Sequence, residues 1–376
     1  MRSEKITEFL QERVDANDFP SAGYLVSEKG EIVYQDAVGF AVKEPEQIAS
    51  SVETIYDLAS LTKPLVTGLL AAILIERGEI DPTESIGKLL PEFYTSVNSE
   101  VTVNQLLRHT SMLPAWRPFY LLVDEKEEVV SEIARTLPNG EQPVVTYSDL
   151  NFLTLAALIE FITSDDLEAI ANSEIFLPLG LQKTSFAPTG RFARETIAAS
   201  EYGNEYEKQT CIEMDYLDNI DDPLYARYFR NYQIWGEVHD GNAFFLGGVA
   251  GHAGLFSTAG EVFRVARQFL PGSTTLLKPE TCDLFRTNFT AGANEDRSVA
   301  FQLASTEGST AGTNLSPESF GHNGFTGTSL WVDSVKEQIF VLLTNRTHVH
   351  PLPFTNINSV RRRFHDLAVR ELPNKS

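Results

Sequence analysis

Cysteine is almost absent: Cys211 and Cys282 are the only two in 376 residues. So few, so far apart, exclude a disulfide framework and a Cys-x-x-Cys zinc pattern; one bridge or two free buried thiols remain open. Positive charge is also scarce. Thirty Lys and Arg face 52 Asp and Glu, a formal net charge of -22. Such a chain repels phosphate backbones and anionic lipid, so neither nucleic-acid nor membrane partners are expected. The start of the chain lacks an uninterrupted apolar stretch. Ile6, Phe9, Leu10 and Val14 instead recur at helical spacing among charges, which predicts an amphipathic first helix rather than a secretory leader, and a cytoplasmic protein. The most apolar run, Leu65 to Ile75, is too short to span a bilayer. There is no Gly-x-Ser-x-Gly elbow, phosphate-binding glycine loop, dinucleotide fingerprint or HExxH zinc helix.

What is present is an ordinary folded composition, 42% apolar and 22% charged. Gly23–Ser27 and Ile32–Tyr34 flank Glu28-Lys29-Gly30-Glu31, a hairpin pattern, with a third short run over Val38–Val42. Near the far end Thr328–Val332 and Gln338–Leu343 flank Asp333–Glu337, a second antiparallel pair, and a helix over Val360–Leu372 closes the chain. Between them the pattern is helical. Thr102 opens a short helix, and Asp149–Ile162 reads as a long apolar one. Residues 190–245 read as irregular, and Thr258-Ala259-Gly260-Glu261 as a capping box starting a helix to Leu270. Strands at both ends with helices between predict an α+β fold: one antiparallel sheet closed by the two termini and flanked by helices. The whole chain, 1–376, reads as one domain. Residues 1–58 with 245–376 form the sheet part, and 59–244 a mainly helical insertion.

Three short segments carry chemistry. Ser60 and Lys63 stand at i and i+3, one turn apart on one helix face. A desolvated lysine there can take the serine's proton; equally, Lys63 simply precedes Pro64 as the helix opens. Tyr147-Ser148-Asp149 enters the apolar helix. Tyr147 is a candidate proton shuttle or a half-buried aromatic, and Ser148 or Asp149 is a candidate N-cap. His322-Asn323-Gly324-Phe325 precedes a strand, where glycine admits a substrate or another backbone.

In this order the three segments resemble the motif trio of the penicillin-recognising serine hydrolases, the class C β-lactamases, D,D-peptidases and related esterases: Ser-x-x-Lys, Tyr-x-Asn, Lys/His-x-Gly. Leu106-Leu107-Arg108-His109-Thr110-Ser111-Met112-Leu113 and Gly254-Leu255-Phe256-Ser257-Thr258 look like two further family segments. The similarity runs from about Gly23 to the final helix. It implies a β-lactamase/transpeptidase-like fold with Ser60 as acylated nucleophile, Lys63 as its base and Tyr147 as a proton relay or shared base. His322, Asn323 and Gly324 would line the cleft, and the N–H groups of Ser60 and Phe325 would form the oxyanion hole.

Two departures matter. Asp149 stands where the family usually has asparagine; it would pair with Lys63 and raise its pKa, or point away as a helix cap. His322 stands in place of lysine and is neutral over much of the physiological range. The expectation is therefore a hydrolase of a small-molecule ester or amide, esterase or D-amino-acid/muropeptide amidase, with no metal and no organic cofactor, monomeric or a small homo-oligomer. A true β-lactamase or D,D-carboxypeptidase is the alternative, and a catalytically silent binding protein of the same fold the rival of another class. His and Asp cluster in Glu237–Asn242, with His252 after it; this reads as a loop near the cleft or as packing under the glycine-rich turn rather than a metal site.

Overall fold

The computed structural model describes residues 1–140, 144–217 and 226–373. Its centre is a seven-stranded antiparallel sheet. Three strands come from the first fifty residues: β1 (Ser21–Glu28), β2 (Glu31–Val42) and β3 (Ile48–Ala49). Four come from the last seventy-five: β4 (Gln302–Leu303), β5 (Phe320–Asn323), β6 (Ser329–Asp333) and β7 (Gln338–Thr344). The order β3-β2-β1-β7-β6-β5-β4 joins the two chain ends at the β1–β7 pair, where Leu25 faces Val341.

Alternation along these strands sorts side chains onto two faces. Ile339, Val341 and Leu343 of β7 enter the large core shared with the inserted helices, as does Leu25. Phe340 and Leu342, with Tyr24 and Val26 of β1, enter a second core. That second core is closed by Ile6, Leu10 and Val14 of α1 (Glu4–Asp15) and by Val360, Phe364 and Ala368 of the last helix, Asn358–Glu371. Each such buried aliphatic or aromatic side chain contributes roughly 1.5–3 kcal/mol. The α+β arrangement expected from the sequence is present, with the mostly helical stretch inserted between the two halves of the sheet.

Four local expectations are corrected. The run Val38–Val42 is the far half of β2 rather than a third strand. Gly39 has φ +78°, and a Cβ there would lie 2.2 Å from the Pro20 carbonyl oxygen, so glycine lets one strand bend and continue. The stretch 190–245, of which 218–225 lie outside the described residues, is more ordered than expected. Ala199–Tyr202 pairs with Gln233–Trp235, and helices cover Glu205–Glu213 and Gly241–Phe245. The first of these helices buries Glu207 and Cys211, an acid and a thiol at i and i+4, which leaves no apolar stripe to read. The apolar run after Lys63 belongs to a longer helical segment. A 3₁₀ turn, a π-helical turn (Lys63–Gly68) and α2 (Leu69–Arg77) follow one another, so Ala59–Arg77 has 19 residues and the length to cross a membrane; 83% of its most apolar 18-residue window is buried inside the protein. Finally, Thr258 caps its helix by accepting from the Glu261 amide, but the Glu261 carboxylate turns away to the Gln182 and Lys183 amides and the Thr184 hydroxyl. Reciprocal boxes stand at Thr102 with Gln105 and at Glu125 with Glu128.

Candidate active site

Ser60 stands in the 3₁₀ turn Ala59–Leu61, before the buried helix. That turn is strained and heavily held. Ala59 has φ +47°, which costs a non-glycine residue about 1–3 kcal/mol. Its amide donates to Asp57 (2.8 Å), its carbonyl accepts the Thr62 hydroxyl (2.7 Å), and Thr62 in turn accepts the Leu255 amide (3.1 Å). Gly324 closes the turn from the sheet side: a Cβ there would lie 2.6 Å from the Leu58 carbonyl oxygen and 2.0 Å from the Thr328 hydroxyl. Its missing side chain is what brings the end of β5 against the serine. Among the described residues, the amides of Ser60 and Phe325 donate to no protein acceptor.

Lys63 is fully buried. Its ammonium donates to Ser60 Oγ (2.9 Å) and to the His252 carbonyl (3.0 Å), and stands 2.7 Å from Asp149 Oδ1. Burial pulls its pKa down, but the Asp149 carboxylate and the Tyr147 hydroxyl outweigh burial and hold it above the ordinary value. Of the two expectations for Asp149, pairing is the one seen. Asp149 is the first residue of α3 (Asp149–Thr163), whose N-cap is Ser148, and its side chain faces the lysine.

The Tyr147–Asp149 turn is built on the Leu106–Leu113 segment. Ser148 donates its amide to His109 Nδ1 (3.0 Å) and its hydroxyl to Pro114 (2.6 Å), while the Asp149 amide donates to Ala115 (2.8 Å). Asn151, two positions on, does not substitute for the family's asparagine: it is buried, and its amide oxygen takes the Ser111 hydroxyl (2.6 Å). The Tyr147 ring lies on His109 (centroids 4.7 Å apart), and its buried hydroxyl, without a well-aligned partner, faces Lys63 and Ser60. Burial raises the Tyr147 pKa against the pull of Lys63, so the phenol keeps its proton.

His322, at the end of β5, is 5% exposed. Nδ1 donates to the Asn323 carbonyl (2.9 Å), which leaves Nε2 as a buried lone pair with no partner. Burial, helped by the charges of Lys63 and Arg297, pushes His322 well below the usual histidine range, so it is neutral. The Asn323 side chain is spent on Thr310 (3.0 Å). The Phe325 ring stacks on His239 (5.3 Å) and packs against Tyr206 (4.7 Å). All eight residues expected at the site therefore converge on one cleft of about 690 Å³, with Asn323 turned partly away and Lys63 beneath its floor.

Sequence reading missed two others, Arg297 and Glu207, and gave no site role to Asp240 and His252. Arg297 is 4% exposed and lines the cleft beside Tyr147, its guanidinium 5.4 Å from that ring. One nitrogen pairs with Glu295 (2.7 Å); Nε and Nη1 have no partner. Nothing in its local sequence marks it. Asp240 and His252 belong to the His/Asp cluster read as a loop near the cleft, which is where they lie; they bond each other (2.9 Å). Asp149, Asp240 and His252 bring ligand-type atoms within 4.8 Å of one another, and the Lys63 ammonium supplies the positive charge they face. Glu207, also on the cleft wall, accepts from the Gly241 amide (2.7 Å) and Tyr120 (2.9 Å); burial and then Asp240 raise its pKa to about 7.

A serine oxygen held by a buried ammonium, with two idle backbone amides beside it, is equipment for acyl transfer, and the chain is a serine hydrolase. The family model described as "Beta-lactamase" matches residues 6–361, and the chain belongs to that family. An Escherichia coli K12 relative, provisionally named a D-alanyl-D-alanine carboxypeptidase, is 30% identical over 375 residues, covering 92% of this chain and 83% of the relative. The fold is shared with EstCE1, titled a hydrolase with promiscuous acyltransferase activity (TM-score 0.71, 18% identity, 97% of each chain). It is shared too with a class C β-lactamase of Rhodobacter sphaeroides (TM-score 0.70, 16% identity, 97% of this chain and 99% of that one).

Proposed function

We propose that this serine hydrolase cleaves the ester or amide of a small molecule, of the esterase or D-amino-acid amide type, through an acyl-enzyme on Ser60. The observation that carries the reading is Ser60 Oγ, 2.9 Å from the buried Lys63 ammonium at the floor of a cleft sized for a small molecule. Ser60 attacks the carbonyl, the amides of Ser60 and Phe325 stabilise the developing oxyanion, and Lys63 and Tyr147 manage the proton. Water then releases the acid. This chemistry needs no metal or organic cofactor. The neutral His322 offers an acceptor where the family's lysine would offer a cation, which weighs against a dedicated β-lactamase.

A second reading, a carboxypeptidase acting on a D-alanyl-D-alanine-type end, is favoured by Arg297. Two unpartnered guanidinium donors, buried at the cleft wall, suit a substrate carboxylate. One panel separates the two: p-nitrophenyl esters, D-aminoacyl p-nitroanilides, a muropeptide ending in D-alanyl-D-alanine, and nitrocefin, each with Ser60→Ala as control. Turnover of esters or D-aminoacyl amides in preference to the muropeptide supports the first reading. The reverse order replaces it with the second. Activity surviving in Ser60→Ala sinks both.

A further inference from the structure

The three protons of the Lys63 ammonium face three acceptors: Ser60 Oγ, the His252 carbonyl and Asp149 Oδ1. A lysine so placed has no lone pair, and cannot take the serine's proton until it has given one away. Of its three partners, the carbonyl oxygen is no base, and the serine is the group to be deprotonated. Only the carboxylate can receive a proton. The Tyr147 hydroxyl keeps its own proton, so it can pass one along but not store it.

We propose that Asp149 is the terminal proton acceptor of the site, reached through Lys63. As Ser60 Oγ forms its bond to the acyl carbon, the serine proton passes to Lys63 Nζ, and Lys63 passes one of its own to Asp149 Oδ1. When the bond to the leaving group breaks, the proton returns by the same route to the departing oxygen or nitrogen, and the Lys63–Asp149 pair is restored. Water repeats the cycle in deacylation. Asp149 acts through Lys63 and is a proton-positioning residue; it does not touch the reacting carbon.

The groups around Asp149 fit this role. Lys63 faces it from the π-helical turn, Tyr147 from its own turn, and Asp240 and His252 from the segment that crosses beneath. Asp240 is committed as an anion. It accepts from His252 (2.9 Å) and from the Ala243 amide (2.8 Å), and these partners hold its pKa below the usual carboxylate range against burial. Asp240 thus stands as a fixed anion beside Asp149, with ligand-type atoms of the two and of His252 all within 4.8 Å. Asp149 Oδ1 makes no hydrogen bond and has the Lys63 ammonium 2.7 Å away as an ion pair, so no hydrogen-bond donor competes with the incoming proton.

The relay is tested by the rate at which a fluorophosphonate phosphonylates Ser60, followed by intact mass across pH and in H2O/D2O mixtures. Fluoride leaves without needing a proton, so the serine proton alone is observed. Wild type is expected to show two protons in flight, a curved dependence on deuterium fraction, and an acid limb belonging to the Lys63–Asp149 pair. Asp149→Asn is expected to slow labelling near neutrality roughly 10–100-fold. It should make the isotope dependence linear and move the acid limb to higher pH, because the lysine must then become neutral by itself. Asp149→Glu should keep the curvature. A linear dependence in wild type overturns the relay without any variant, and so does a folded Asp149→Asn protein with an unchanged limb. Either result leaves the substrate reading intact, whereas absence of labelling at every pH overturns both.

Discussion

Ser60 has two unlike sides. On one, Lys63 bonds Ser60 and the His252 carbonyl and pairs with Asp149, and Asp240 bonds His252, which leaves Asp149 Oδ1 and His252 Nδ1 without a hydrogen bond. On the other, the Tyr147 hydroxyl, His322 Nε2 and two Arg297 nitrogens are buried and unpartnered. An unsatisfied buried polar group costs about 1–3 kcal/mol. One side spends most of its polar groups on itself around an ion pair; the other keeps more of them in reserve, which is the arrangement expected of a surface that meets substrate. Proton handling and recognition are thus segregated across a single oxygen atom.

Substitutions on the two sides should separate in kinetics. Lys63→Met should lower kcat/KM for every substrate by roughly 10³-fold or more, since it removes the ammonium that is hydrogen-bonded to Ser60 Oγ and takes its proton. A substrate that escapes this loss would break the comparison. Arg297→Ala should raise KM roughly 10–100-fold for a carboxylate-bearing substrate, the value of a charge-assisted hydrogen bond. Hydrolysis of a neutral p-nitrophenyl ester should stay within a fewfold of wild type. Equal losses on both substrates would place Arg297 with the proton machinery instead.

The smallest effect concerns the cleft wall. Glu207 has a folded-state pKa near 7, above its ordinary 4.5, so the native state resists its ionisation. Its stability contribution is therefore unpenalised below about pH 4.5 and declines as pH rises towards 7, by about 3 kcal/mol in all. Glu207→Gln keeps both hydrogen-bonding positions without the charge. Its thermal midpoint should exceed that of wild type at pH 8 and match it at pH 4.5. A constant difference between the two would show that Glu207 is already ionised in its pocket.

Much of the site was legible because its residues are close together in sequence. Ser60 and Lys63 share a helical turn, Tyr147 and Asp149 flank one N-cap, and His322 to Phe325 are consecutive. The hairpins were legible because each strand alternates and each pair has a short connection. What escaped reading comes from distance and from burial. Arg297 meets Tyr147 across 150 positions, and the His252 carbonyl reaches Lys63 across 189; neither contact leaves a local pattern. The direction of Asp149 was open for a related reason, since a first-turn acid suits a helix start whether or not it also faces a lysine. The helix Glu205–Glu213 was unreadable because its buried face carries an acid where periodicity looks for an apolar residue.

The pairing of β1 with β7 has a consequence for how the molecule comes into being. The Ser21 amide and hydroxyl both donate to the Asn345 side chain, 324 positions away (3.0 and 2.8 Å). Loop closure on that scale grows only slowly in entropy with length, but it comes late in time. On a ribosome adding residues from the N-terminus, β1 and β2 emerge as a hairpin with one edge uncovered, and the strand that covers that edge is made about three hundred residues later. Gly324, which presses on the nucleophile's turn, emerges shortly before it. Until the chain has grown past Phe325, Ser60 has its lysine within reach in sequence but no second amide and no far wall. The nucleophile's turn therefore lacks its sheet-side half until Gly324 and Phe325 have been made.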